Sequence, residues 1–347
     1  MAVTIADVAR EANVSISTIS RVINNSKTVS PELKKHVFEV IERVGYRPNV
    51  LARGLITKQT NTIGLVVSDI SNSVIATIAK GINSVCQENN YTVFMCESNG
   101  EPERELELLD KLGNHRIDGH VFAGVDVSRK LTDSMHKLEF PVVLVTQQEA
   151  YGETRLNTVI HDNYHLMIDA VNFVIANGHR RIAFISGPKK DHSSGMLRLQ
   201  GYYAALQENG IPPVESYIRF GDFSFDAGYA SMRSIYEESI ELPTVVLAAS
   251  DLMAIGAMQS AFHLGLSVPE DISVMGIDDT EIGKYSRPPL STVRIPYFEE
   301  GAMAAKTLFR LIEERREGVQ DGQAATIEYV KHRIIRRTSV GQPRCDS

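Results

Sequence analysis

From residue 61 onward the chain alternates short apolar runs with longer amphipathic segments, and this alternation limits the available folds more than any other feature. The apolar runs are Thr62–Val67, Tyr91–Cys96, Gly119–Phe122, Val142–Val145, Thr158–Ile160, Arg181–Ile185, Thr244–Leu247 and Ile272–Met275. Segments with a helical period fall between them, near 74–89, 101–114, 128–138, 163–178, 196–209, 226–237 and 251–264. Uninterrupted apolar strands separated by helices belong to parallel sheets covered on both faces. Eight such strands exceed the usual single sheet. The expected class is therefore α/β, with two doubly wound parallel-sheet subdomains. A last helix near 297–314 and a final strand near 326–333 return to complete them.

Length and composition agree with several domains and exclude some classes. A chain of 347 residues has room for two or three units. Its 43% hydrophobic and 23% charged residues are ordinary globular values. No apolar run approaches the roughly 18–20 residues of a membrane helix. The start, MAVTIADVAREANVS, lacks the basic and apolar segments of a signal peptide. Cys86, Cys96 and Cys345 are odd in number and lack metal-ligand spacing, so a cytoplasmic location, no disulfide scaffold, no metal and no cofactor are expected. The formal charge of −7 conceals an asymmetry. Residues 1–60 carry nine Lys and Arg against five Asp and Glu, a net +4, and the other 27 and 38 leave −11. A basic head on an acidic body suits a nucleic-acid partner, although chance can produce such a difference.

The head reads as three helices. Thr4 caps the first, with Asp7 three residues on, and Ile5, Val8, Ala9 and Ala12 share one face. Asn13 stands at a turn. Ser15 caps a second helix, about 16–24, with Ile19, Val22 and Ile23 inward. Ser30-Pro31 starts a third, with Leu33, Val37, Val40, Ile41 and Val44 as its buried stripe and Gly45 as its end. Two short helices joined by a tight turn and buttressed by a third describe a helix-turn-helix. A generic three-helix bundle has the same outline. The outer face of helix 2, Ser17, Thr18, Ser20, Arg21 and Asn24, suits groove contacts better than plain solubility, which usually recruits Glu and Lys.

In the body, polar groups follow several strands: Ser68-Asp69, Glu97-Ser98, Gln147, His161-Asp162, Ser250-Asp251 and Asp278-Asp279. Ligands of open parallel sheets bind beyond the carboxyl ends of the strands. Two subdomains presenting these ends to each other form a polar cleft. Its carboxylates accept hydroxyl protons and Arg198 donates a rigid fork, which suits a hydroxyl-rich small molecule. Each Asp and Ser after a strand also reads as a helix cap. Lys189, Lys190 and His192 read as a solvated charged loop, or as contacts to an acidic group near the mouth.

VTIADVAREANVSISTISRVIN followed by GYRPNVLARGL resembles the head of the lactose-repressor (LacI/GalR) family of bacterial transcription regulators. The resemblance continues through VVSDISN, RIAFISGP, RLQGY, AASDLMAIGAM, SVPEDISVMGIDD and PPLSTVRIP, in the expected order. It implies a periplasmic-binding-protein-like body and a homodimer on a near-palindromic operator, controlled by a small-molecule effector, a sugar or sugar derivative. The domains expected are a head over 1–48, a hinge helix and linker over 49–60, a body over 61–340 and a tail over 341–347. Within the body, one subdomain takes about 61–160 and 293–323 and the other about 161–292 and 324–340, with crossovers near 160, 292 and 323.

The DNA-facing residues so implied are Thr4, Ser15, Ile16, Ser17, Ser20, Arg21 and Asn24 in the head, with Asn49, Arg53 and Leu55 in the hinge. Arg21 serves either a guanine edge or a phosphate. Ile16 either joins the core or meets a thymine methyl. Leu55 either wedges into the minor groove at the operator centre or packs as part of a plain linker. The implied effector-binding residues are Asn72, Val74, Ile75, Gln147, His161, Arg198, Phe223, Ser250, Asp251 and Asp278. Arg198 is the principal one, Asp278 its carboxylate across the cleft and Phe223 an aromatic cover, while Asp251 caps its helix in the alternative. Two departures from the family pattern stand out. Asn72 is followed by Ser73, Val74 and Ile75 where two aromatics are usual, and Thr146-Gln147 replace Asp-Arg. No residue points to a protein co-regulator. An α/β enzyme or a solute-binding protein using the same cleft are the alternatives. The sequence holds no GxSxG, P-loop, GxGxxG, HExxH or CxxC.

Overall fold

The computed structural model describes residues 3–23, 29–46, 60–114, 117–125, 127–149, 154–318 and 324–344. Asn24, Asn49, Arg53, Leu55, Cys345 and the expected hinge helix lie outside these. The chain forms two compact units, 1–60 and 61–347.

The first unit holds α1 (Ile5–Glu11), α2 (Ile16–Ile23) and α3 (Pro31–Val44). Local chemistry sets their ends. Thr4 Oγ1 accepts from the Asp7 backbone N–H while Asp7 accepts from that of Thr4, a reciprocal capping box. Asn13 takes φ 54° at the turn, and Ser15 Oγ accepts from the Thr18 N–H at 3.1 Å to start α2. Ser30 caps α3, and Gly45 ends it at φ 67°, a conformation that costs a β-carbon. Val8, Ala9, Ala12, Ile19, Val22, Val37 and Val40 form its core. Ile16 is 51% exposed, which resolves its two readings against the core.

The second unit contains two six-stranded sheets. In chain order it runs β1 (Thr62–Val67), α4 (Ser73–Glu88), β2 (Thr92–Glu97), α5 (Pro102–Asn114), β3 (Gly119–Ala123), α6 (Arg129–Met135), β4 (Val142–Val145) and β5 (Asn157–His161). It continues α7 (Asn163–Ala176), β6 (Ile182–Ser186), α8 (Arg198–Glu208), β7 (Ile218–Phe220), α9 (Phe225–Glu238), β8 (Val245–Ala248), α10 (Asp251–His263) and β9 (Ser273–Asp278). It closes with α11 (Glu281–Tyr285), β10 (Ser291–Arg294), α12 (Tyr297–Arg316), β11 (Ile327–Val330) and β12 (Arg333–Ile335). The first sheet is ordered β11-β5-β4-β3-β1-β2 and is parallel throughout. The second is ordered β12-β10-β9-β8-β6-β7, parallel except for β12 against β10.

Three expectations need correction. β7 and β10 are further strands, each only three or four residues long. The single strand expected near 326–333 is two: β11 pairs with β5 and β12 pairs with β10, so the last crossover falls after Val330 rather than near 323. β10 stays in the second sheet, which moves the middle crossover from 292 to between Arg294 and Tyr297.

Helix packing fixes the segment just past the middle crossover. A β-carbon at Gly81 of α4 would lie 2.0 Å from the Phe298 carbonyl oxygen, and one at Gly301 of α12 would lie 2.2 Å from that of Ile78. Both positions must be glycine for the backbones to meet this closely. The first turn of α12, with Tyr297 and Glu300, is thereby held rigidly against the first subdomain.

His120 on β3 is fully buried, and neither ring nitrogen makes a hydrogen bond, although Gly64 lies close beneath Nδ1. Burial pushes its pKa down from 6.5 to about 4, so the folded chain holds it neutral. Its contribution to stability is present above about 6.5 and is lost as pH falls toward about 4. His120→Leu removes this linkage. Thermal unfolding across that range should show the variant gaining on wild type as the medium is acidified, and a constant difference would refute the assignment.

Candidate functional site

Two surfaces gather the residues singled out by sequence. In the head, α2 buries Ile19 and Val22 and leaves Ile16, Ser17 and Arg21 exposed. Ser15 Oγ stands 2.7 Å from Ser17 Oγ and 2.8 Å from Thr18 Oγ1, so the start of α2 is a cluster of hydroxyls. Thr4 is exposed and engaged in the capping box, while Ser20 is half-buried. The exposed side is short, polar and basic, with one apolar member.

The second surface lies where the carboxyl ends of the two sheets face each other. At its centre is Arg198, the first residue of α8, 2% exposed. Its Nε donates to Asn163 Oδ1 at 2.7 Å, its Nη1 donates to the Ala249 carbonyl, and its Nη2 stands 3.4 Å from His161 Nε2. His161 ends β5 of the first sheet, and its Nδ1 lies 3.2 Å from Glu300. Asp278 ends β9 of the second sheet and accepts from Tyr297 Oη at 2.6 Å. Two of these contacts, Tyr297 to Asp278 and Arg198 to His161, join one sheet's elements to the other's. At a separate point Gln147, after β4, bonds Asp191, and the Gln148 N–H donates to Ser193 Oγ at 3.4 Å.

The electrostatics follow from burial. The Asp278 carboxyl is pushed up to about 7, first by desolvation and then by the charge of Asp251, against the pull of Arg198 and Tyr297. Asp251 is pushed up to about 6 by burial, which its hydrogen bonds oppose. Burial also raises Asp191, and burial, with the charge of Asp278 second, raises Tyr297 well above its usual value. Asp278 and Asp279 take φ of 127° and 61°, a left-handed turn that non-glycine residues adopt at a cost. Asp279 is anchored by Arg294 and Arg337. The strained turn is held at Asp279 by two arginines, and Asp278 stands where Tyr297 reaches it.

The other residues named from sequence fall into different places. Phe223, at φ 68°, packs its ring against Gly187 at the second sheet's edge of the cleft. Asn72 is exposed and caps α4 through a bond from the Val74 N–H at 2.9 Å. Ile75 is turned into the core, and Val74 packs against it. Ser250 caps α10, accepting from the Met253 N–H at 3.2 Å. Asp251 does not cap its helix. One of its oxygens accepts from Thr292 at 2.6 Å, and the other accepts the N–H of Thr280 at 2.6 Å and its hydroxyl at 2.9 Å. Through these bonds it ties α10 to the turn after β9 and to β10, so it organises the cleft wall. Lys189 sits 4.4 Å over the Phe220 ring. Sequence reasoning missed Asn163, Asp191, Tyr297 and Glu300. Their signal was weak, because Asn and Glu in a first helical turn read as ordinary helix-start residues. Among the described residues no cluster has the makeup of a metal site.

Comparison with known proteins matches both units of the chain. Residues 4–49 match the family model for bacterial regulatory proteins, lacI family, and residues 171–340 match that for a periplasmic binding protein-like domain. The chain is 37% identical over 339 residues to catabolite control protein A of Priestia megaterium, covering 98% of this chain and 99% of that protein. It is 34% identical to the ribose operon repressor of Escherichia coli over 90% of this chain and 93% of that one. Among solved structures, a lac repressor dimer bound to operator and the anti-inducer ONPF superposes with a TM-score of 0.88 at 27% identity, covering 98% of this chain and all of that one. A cellobiose complex of the transcriptional regulator CelR gives 0.73 at 28%, over 97% and 99%.

The raised Asp278 pKa gives this surface a pH signature. A carboxyl whose folded pKa stands above its unfolded 3.8 adds stability below about 3.8, which is lost as pH rises toward about 7. Asp278→Asn removes that loss. Its Tm relative to wild type should rise steadily between about pH 4 and pH 7, and a flat difference would mean that the carboxylate is solvated.

Proposed function

The chain belongs to the lacI family of bacterial regulatory proteins, and from that membership we propose a cytoplasmic, homodimeric transcriptional repressor, controlled by a small effector bound at Arg198. The observation that carries this reading is the exposed face of α2, where Ile16, Ser17 and Arg21 project from a helix anchored by Ile19 and Val22. Arg21 donates to a guanine edge or a phosphate, Ser17 to a base or phosphate, and Ile16 meets a thymine methyl. One such helix covers a half-site. A two-fold pair of heads reads a near-palindromic operator, and the hinge, about Asn49–Ile56, orders on it with Leu55 as the minor-groove wedge. A second copy is favoured by exposed apolar side chains on α10 and α11: Leu252, Phe262, Ile282 and Tyr285 are 39%, 72%, 52% and 71% exposed.

The effector is a sugar or sugar derivative. Arg198, Asp278, His161 and Gln147 supply it with donors and acceptors from both sheets, and Phe223 covers it. Binding changes the bonds that link the sheets, shifts the balance between two arrangements of the body, and so changes operator affinity without touching DNA. Catalysis has no part in this reading, as the named relatives include the ribose operon repressor and the HTH-type transcriptional repressor PurR.

A gel shift with the DNA upstream of the chain's own gene, followed by footprinting, tests the reading. A two-fold symmetric footprint is expected, and a stable monomer on a single half-site would sink the proposal. Thermal-shift screening of sugars, sugar phosphates and nucleobases identifies the effector. Arg198→Ala should then weaken effector binding by roughly 2–5 kcal/mol, several tens- to thousands-fold in Kd, and leave operator binding near wild type. Equal effector affinity by calorimetry would remove Arg198 from the site. Leu55→Ala should lower operator affinity and the DNA bend angle while salt-dependent non-specific binding survives, because that comes from phosphate contacts. Unchanged affinity and bend would make the segment a passive tether.

A further inference from the structure

Glu300, His161 and Asn163 are linked to Arg198 where the two sheets meet, and the polarity of their hydrogen bonds follows by elimination. A guanidinium carries N–H donors and no acceptor. Arg198 Nη2 stands 3.4 Å from His161 Nε2, so that nitrogen presents its lone pair and the imidazole proton resides on Nδ1. Nδ1 lies 3.2 Å from both oxygens of Glu300, which accept the proton's hydrogen bond. Glu300 is completely buried and His161 is 2% exposed. Asn163 is oriented by the same rule. Its Oδ1 faces Arg198 Nε at 2.7 Å, which directs the amide nitrogen elsewhere. That Nδ2 has no partner although Asn163 is 1% exposed, and a buried donor left unpaired is costly. A long, weakly used acceptor and an unpartnered donor therefore border neighbouring nitrogens of one guanidinium.

We propose that Glu300 is a positioning residue that acts through His161, fixing the tautomer that, with Asn163, makes the floor of the cleft a hydroxyl site. Glu300 holds the Nδ1 proton, Nε2 turns an acceptor toward the cleft, and Asn163 Nδ2 supplies the donor. An effector hydroxyl accepts from Asn163 and donates to His161. An ionised carboxylate or sulfate has no proton to donate to Nε2. The inference rests on the effector reading of the cleft, deepens it, and makes Glu300 and Asn163 determinants of ligand class.

Nitrogen-15 spectra of the full-length protein, labelled on its ten histidines and assigned through His161→Gln, read the tautomer without any effector. At pH 7 His161 should show a protonated Nδ1 and an unprotonated Nε2. Glu300→Gln, which keeps an acceptor, should preserve that pattern, and Glu300→Leu should lose it. Sodium sulfate, titrated at constant ionic strength, should leave the His161 signals unmoved. A wild-type imidazolium, a proton on Nε2, an unchanged tautomer in Glu300→Leu, or uptake of a solvent proton at Nε2 when sulfate is added would each overturn the proposal. If Glu300→Leu does not fold, the wild-type, Glu300→Gln and sulfate measurements decide it. The reading of the cleft as an effector site fails separately, through a ligand screen without a binder, and the tautomer result stands apart from it.

Discussion

A full positive charge held at 2% exposure is the constraint around which the body is arranged. An isolated buried guanidinium costs several kcal/mol, so Arg198 has to be met by acceptors on every side. The acceptors come from separate parts of the chain: the Asn163 amide at the start of α7, the Ala249 carbonyl after β8, and the His161 ring at the end of β5. All three stand at or just past the carboxyl end of a parallel strand. Parallel topology is what allows this, because every crossover helix returns the chain so that the next strand ends on the same side. The close approach of Gly81 and Gly301 completes the arrangement by fixing the first turn of α12, which carries Tyr297 and Glu300.

The parts of this arrangement legible from sequence are those in which one physical signal dominates. The central strands are continuous apolar runs, and Thr62–Val67 and Val142–Val145 end where the runs end. Ile218–Phe220 and Ser291–Arg294 are short and carry Arg or Ser and Thr, so their pairing is decided by neighbouring strands rather than by their own pattern. The segment near 326–333 reads as one strand because no turn residue, glycine or proline interrupts it. Lys331 and His332 break it, and the two halves join different sheets in opposite senses. No local pattern encodes that change of partner.

The site divides along the same line. Arg198 and Asp278 are recognisable because a family motif surrounds each, and His161 because it ends a strand. Asn163, Tyr297 and Glu300 lie in first helical turns, where polar residues are expected for capping alone. Their second role depends on tertiary contacts more than 15 residues away in sequence: Tyr297 with Asp278, and Glu300 with His161. Asp251 shows the converse. A carboxylate at the start of a helix beside the cleft looked like a contact or a cap, and in the fold it accepts three bonds from Thr280 and Thr292 and does not cap its helix. How far internal bonds occupy such a group is decided by tertiary contacts, and only the folded chain supplies that count.

The same accounting bears on how a cleft of this kind transmits a signal. Nearly every strong donor and acceptor at its centre already has a protein partner, so a ligand enters by exchanging hydrogen bonds rather than by adding them. Such an exchange has a modest net value, since each bond gained replaces one lost. Its consequence is larger than its free energy because of which bonds are exchanged. Tyr297 to Asp278 and Arg198 to His161 join elements of the two sheets, and a ligand competing for Asp278 or Arg198 substitutes its own groups for those links. The spacing of the two sheets then becomes a function of the ligand's size and polarity. A ligand that fits the existing spacing strengthens that arrangement, and one that requires another spacing shifts the population toward it, by no more than its difference in affinity for the two. With the buried charge placed where the sheets meet, the proposed effector site and the bonds that link the sheets involve the same residues.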